Sequence, residues 1–136
     1  TKEFLLEVRR ILSPDGVVIA NVFYTNRLFD AELKTFLEVF GRCQVFYVPE
    51  STNAMLVSPG NALPNLTRAE AMERADKLQR ERGFQFDLPG VARQLRDSVV
   101  PDGSARVLTD DRAPVNWLRW QQNEESGASR SSPSSE

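Results

Sequence analysis

Few side chains in this sequence can do chemistry, and their types limit what that chemistry is. No histidine occurs among the 136 residues, which removes Ser-His-Asp and Cys-His catalysis, two-His zinc motifs and imidazole general bases. Cys43 is the single cysteine. It has no neighbouring base and precedes a β-prone run, so it reads as a small buried hydrophobe rather than a nucleophile. The glycines stand at 16, 41, 60, 83, 90, 103 and 127, too scattered to form a loop whose backbone approaches a pyrophosphate. Two polar groups remain as candidates: Asn21 and Tyr24 at the end of an apolar run, and the adjacent carboxylates Asp110 and Asp111. In open α/β sheets ligands sit beyond the carboxyl ends of the strands, where Asn21 and Tyr24 could hydrogen-bond one. The alternative is that Asn21 satisfies local backbone groups while Tyr24 packs. Asp110 and Asp111 could instead cap a helical turn entered at Pro114, with Trp117 and Leu118 packing inward. Trp117 and Trp120 read as core closure, and Arg74, Arg80 and Arg82, interleaved with acids, as a solvated face.

The elements that must hold these groups follow from periodicity. Phe4, Leu5, Val8, Ile11 and Leu12 have helical spacing, and Ser13-Pro14-Asp15-Gly16 stops that helix in a turn. The run Val17–Phe23 lacks alternation, as a strand buried on both faces in a parallel sheet does. Phe29, Leu33, Phe36, Leu37 and Phe40 predict a helix with Asp30 near its start and Gly41 past its end. Gln44–Val48 and Ala54–Val57 predict an antiparallel hairpin across Pro49-Glu50-Ser51-Thr52-Asn53. A capping box at Thr67-Arg68-Ala69-Glu70 opens a helix to Gly83, whose stripe Ala69, Met72, Ala75 and Leu78 faces inward. Asp87 caps a short helix through Leu95 with Leu88, Val91 and Leu95 as its apolar face. The order helix, strand, helix, strand, strand predicts an α/β layer.

Composition bounds the rest. Seventeen Lys and Arg against 19 Asp and Glu give a net charge of −2, which argues against a nucleic-acid partner. No apolar run reaches the length of a membrane span, and a single cysteine indicates a reducing, cytoplasmic setting. Thr1-Lys2-Glu3-Phe4-Leu5 begins an amphipathic pattern without an initiator Met, so a C-terminal piece of a longer protein is expected. The Ser-rich stretch 121–136 is expected to be disordered.

The block from Phe4 to Phe23, containing Ser13-Pro14-Asp15-Gly16 and ending in Ala20-Asn21-Val22-Phe23, resembles the helix, turn and fifth strand of class I methyltransferase-fold proteins. The Ala-Asn-x-Phe ending and Thr109-Asp110-Asp111-Arg112-Ala113-Pro114-Val115-Asn116 resemble spermidine synthase-like proteins, whose box commonly has Glu where this sequence has Asn116. The resemblance covers roughly residues 1–58 and 107–118. It implies that residues 1–120 are the C-terminal half of a Rossmann-like class I methyltransferase fold: a parallel strand, then an antiparallel strand pair, with flanking helices. The implied activity of the full protein is transfer of an aminopropyl group from decarboxylated S-adenosylmethionine to putrescine or a related amine. The glycine loop, the ribose-gripping acid and the amine-activating Asp are then expected before Thr1, and the fragment alone is expected to bind no cofactor. Asp110 and Asp111 become candidates for an acidic wall around a polyamine, beside Asn21 and Tyr24. Two alternatives stay open: an S-adenosylmethionine-dependent methyltransferase, and a non-catalytic spermidine synthase-like module. Homo-oligomerisation and fusion to a membrane segment elsewhere in the protein also stay open.

Overall fold

The computed structural model describes residues 1–26 and 28–111. Helix α1 spans Lys2–Ile11, strand β1 Val17–Phe23, α2 Leu28–Phe40, β2 Gln44–Tyr47, β3 Asn53–Pro59, α3 Arg68–Arg82, α4 Leu88–Ala92 and β4 Leu95–Arg96. One four-stranded sheet has the order β1-β3-β2-β4, and every ladder in it is antiparallel. The expected β2–β3 hairpin is present, with Tyr47 opposite Ala54. The expected parallel pairing of β1 is not seen among the described residues: its one ladder runs antiparallel to β3, from Val17–Pro59 to Phe23–Asn53. β1 and β2 nevertheless point the same way, because β3 lies between them antiparallel to both.

Residues paired across a ladder share a face of the sheet. Val18, Ala20 and Val22 lie with Leu56, Ala54 and Val45 on one face, and α2 covers it with Leu33, Phe36 and Val39. Leu33 and Leu56 are wholly buried, and Leu5 ties α1 into the same core. Asn26, two residues before α2, accepts the backbone N–H groups of Leu28 and Phe29 at 3.0 and 3.2 Å, satisfying two donors of the first turn.

The other face is covered unevenly. Leu95 is 1% exposed, and Ala75 and Ala92 are also buried where α3, α4 and β4 meet. Over β1 that face is bare among the described residues: Ile19 is 64% and Phe23 50% exposed, and Val17 also faces outward. Burial of β1 on both faces is therefore not observed, because α1 and α2 contact each other and only the α2 side of the strand is roofed.

The capping box forms as predicted. Thr67 accepts from the Glu70 backbone, Glu70 accepts from that of Thr67, and Gly83 ends α3 in the left-handed region at φ 61°. The inward stripe is narrower than expected: Ala75 is buried and Met72 half-buried, while Ala69 and Leu78 are exposed. The helix capped by Asp87 is also shorter than predicted. It ends at Ala92, Val91 is exposed, and Leu95 pairs with Phe46 in β4, because a strand partner outweighs one more helical turn.

A strap closes the unit. Asp102 N–H donates to Asp30, Lys34 donates to the Ala105 carbonyl at 2.7 Å, and Leu108 N–H donates to the Thr35 hydroxyl at 2.9 Å. Leu108 packs on Leu28 and Ala31, its carbonyl accepts from Lys2 N–H at 2.7 Å, and Asp110 N–H donates to Glu3 at 3.0 Å. The turn at Pro114, the tryptophans at 117 and 120 and the tail 121–136 lie outside the described residues.

Candidate functional site

The co-directional ends of β1 and β2 meet the hairpin that joins β2 to β3, and an open cavity of about 730 Å³ lies there. Its walls include Tyr24, Tyr47, Glu50, Ser51, Gln94 and Arg96. At this edge β1 and β2 end and β3 begins, so the chain segments that follow and precede them converge on the cavity.

Each wall has a local cause. Tyr24 follows β1, its ring meets Tyr47 edge to face at a centroid distance of 4.7 Å, and its hydroxyl donates to the Ser51 carbonyl at 3.2 Å. That geometry fixes both rings, since edge-to-face pairs are favoured by the aromatic quadrupole. Phe29 in the first turn of α2 supports Tyr47 from below at 6.3 Å. Arg96, brought beside β2 by the β4 ladder, holds its guanidinium 5.2 Å from the Tyr47 ring centroid, a cation–π arrangement. Glu50 sits at the hairpin bend with φ 55°, the sole non-glycine residue with positive φ among the described residues. An L side chain is disfavoured in that region, which glycine or asparagine enters more readily.

Of the residues expected at a site, only Tyr24 lines this cavity. Asn21 lies three positions before it and so on the opposite face, exposed beside Met55 in the β1–β3 ladder. Asp110 and Asp111 are exposed near the start of α1, where the Asp110 backbone binds Glu3. Sequence reasoning missed Glu50, Tyr47 and Arg96; the available signal was a short hairpin connection, residues 48–52, carrying an acid and no glycine. Cys43 behaves as expected of a packed thiol: burial pushes its pKa up to about 11, against weaker opposing hydrogen bonds from Ser58 and Val57. Among the described residues no cluster of His, Cys, Asp or Glu could hold a metal, and no helix is long and apolar enough to cross a membrane.

Over 122 residues, 88% of its length, the chain is 35% identical to a polyamine aminopropyltransferase of Vibrio vulnificus. The chain belongs to the spermidine synthase-like family. A second member, a probable polyamine aminopropyl transferase of Bifidobacterium longum, is 29% identical over 134 residues, 85% of the chain. A third, from Chromobacterium violaceum, is 33% identical over 89 residues, 63% of the chain. The chain spans 40%, 29% and 33% of the lengths of these family members, respectively. No family model matches it, and no solved structure does.

Proposed function

We propose that this chain is the C-terminal part of a cytoplasmic aminopropyltransferase, completing a Rossmann-like, methyltransferase-type domain, and that its cavity receives the acceptor amine. The observation that carries this is the 35% identity over 88% of the chain to a protein named polyamine aminopropyltransferase. In the proposed reaction the amine lone pair attacks the propyl carbon bonded to the sulfonium of decarboxylated S-adenosylmethionine. The C–N bond forms as the C–S bond breaks, the thioether leaves with the electron pair, and the new ammonium gives its proton to a carboxylate or water.

The residues present suit the acceptor side of that reaction. Tyr24 and Tyr47 supply aromatic walls for a methylene chain and a cation, and Glu50 supplies the carboxylate a cationic amine needs. Asp110 and Asp111, outside the cavity, add negative potential at the end of the layer where α1 begins, drawing a polycation towards it. Asn21 faces away from the cavity and serves the neighbouring part of the domain. The scattered glycines leave the nucleoside to the remainder of the parent protein.

The test is an assay of the parent protein with decarboxylated S-adenosylmethionine and putrescine. Spermidine and the thioether nucleoside in equal amounts are expected. Methyl transfer from S-adenosylmethionine, with no aminopropyl transfer to any amine, overturns the reading in favour of a methyltransferase.

A further inference from the structure

The cavity carries two opposite charges whose positions are unusual for different reasons. Glu50 is held at φ 55° in a bend where glycine would be less strained. Strain of this kind persists where the surrounding structure enforces it, and it clusters at ligand clamps. Arg96, exposed on the wall formed by β4, holds its guanidinium over the Tyr47 ring, a contact that favours one orientation of its charge. Both groups line the same cavity, so a charged ligand that fills it meets both.

We infer that Glu50 and Arg96 together read the charge of the acceptor, which deepens the proposed function and rests on it. Glu50 takes the ammonium at the non-reacting end of a diamine. Arg96 places a positive charge where a longer acceptor would bring a further ammonium, and so turns triamines away. Attraction alone would favour the most highly charged polyamine; the opposed pair selects a diamine by penalising the competitor. The aromatic rings of Tyr24 and Tyr47, which line the same cavity, accommodate the methylenes of the acceptor.

The experiment uses the full-length parent protein and compares kcat/KM for 1,4-diaminobutane with that for its N-aminopropyl triamine. Glu50→Gln is expected to raise the diamine KM about threefold to tenfold, between the worth of an exposed ion pair and that of a charged hydrogen bond. Arg96→Gln is expected to shift the triamine-to-diamine ratio of kcat/KM towards the triamine by a similar factor. Glu50→Gly separates binding from folding, since it removes the carboxylate and relieves the positive φ. It is expected to raise the diamine KM while the melting temperature holds or rises, an outcome a purely structural Glu50 would not give. An active wild-type protein whose diamine KM is unmoved by both Glu50 variants, or whose ratio is unmoved by Arg96→Gln, overturns the inference. A wild-type protein that transfers nothing to either amine overturns the proposed function itself, and the inference with it.

Discussion

Gly60→Ala should unfold the end of the sheet furthest from the cavity. A Cβ built on Gly60 lies 2.5 Å from the Pro14 carbonyl oxygen and 2.9 Å from those of Ser13 and Gly16. Ordinary contact begins near 3.4 Å, so the closest oxygen would have to retreat by about 0.9 Å and the other two by about 0.5 Å. These are backbone atoms of one tight turn, and they cannot swing aside as a side chain can. The same turn receives Gly60 N–H on Gly16 at 2.7 Å and Ala62 N–H on Pro14 at 2.8 Å, and the Arg42 guanidinium holds the carbonyls of Pro59, Gly60 and Leu63 in place. Overpacking costs about 1–3 kcal/mol and each weakened hydrogen bond about 0.5–1.5 kcal/mol, so a loss of about 2–5 kcal/mol is expected. At roughly 4 °C per kcal/mol, where the ranges for smaller and larger domains meet, the melting temperature should fall by about 8–20 °C. Gly103→Ala is the control, because a Cβ there meets nothing within 4 Å. It should leave stability within about 0.5 kcal/mol or raise it slightly. Urea unfolding followed by far-ultraviolet circular dichroism measures both variants. A Gly60→Ala midpoint equal to that of Gly103→Ala would refute the carbonyl cage.

Other outcomes follow from the same contacts. The Cys43 thiol, raised from 9.0 to about 11 by burial, contributes stability fully present below pH 9 and lost as pH rises towards 11; wild type should therefore lose more stability than Cys43→Ala between pH 8 and 10.5 in urea titrations. Thr67→Ala should cost about 1 kcal/mol by opening the capping box, visible as increased hydrogen exchange in the first turn of α3. In the parent protein, Asp110→Asn with Asp111→Asn should raise the acceptor KM less than Glu50→Gln does, since neither carboxylate lines the cavity; steady-state kinetics on the variants decides this. Isothermal calorimetry on the 136-residue chain should show no micromolar binding of decarboxylated S-adenosylmethionine, because its glycines are too dispersed to build a nucleoside loop.

What was legible in the sequence was local. Thr67 and Glu70 are three positions apart, Gly83 directly follows its helix, and the Phe29–Phe40 stripe repeats within one element; short-range physics alone decides each. The coverage of β1 was not legible, because Val17–Phe23 reads the same whether one face or both are roofed, and what lies over it is set by chain far from it in sequence. Leu95 misled for a related reason: Leu88, Val91 and Leu95 make a fair helical stripe, and only the ladder to Phe46 takes Leu95 into a strand. The cavity was the hardest part. Tyr24, Glu50 and Arg96 come from a strand end, a hairpin bend and a two-residue strand, and only the order β1-β3-β2-β4 brings them to one place.

The strap gives the unit a near-circular chain path. Lys2 and Glu3 hydrogen-bond the backbone of Leu108 and Asp110, so residues more than a hundred positions apart already sit side by side. In a unit trimmed to residues 1–111, a peptide linker of a few residues could span that junction, and new ends could open in the exposed loop between Pro64 and Asn65. In such a permutant α3, α4 and β4 would be synthesised first, and β1 would follow β4 through the strap and α1 rather than preceding it. The loop closed in the native chain by the Lys2–Leu108 contact would become a local turn, removing much of its closure entropy. Faster folding at nearly unchanged architecture is the expected consequence, since long-range closure of this kind is what slows small domains.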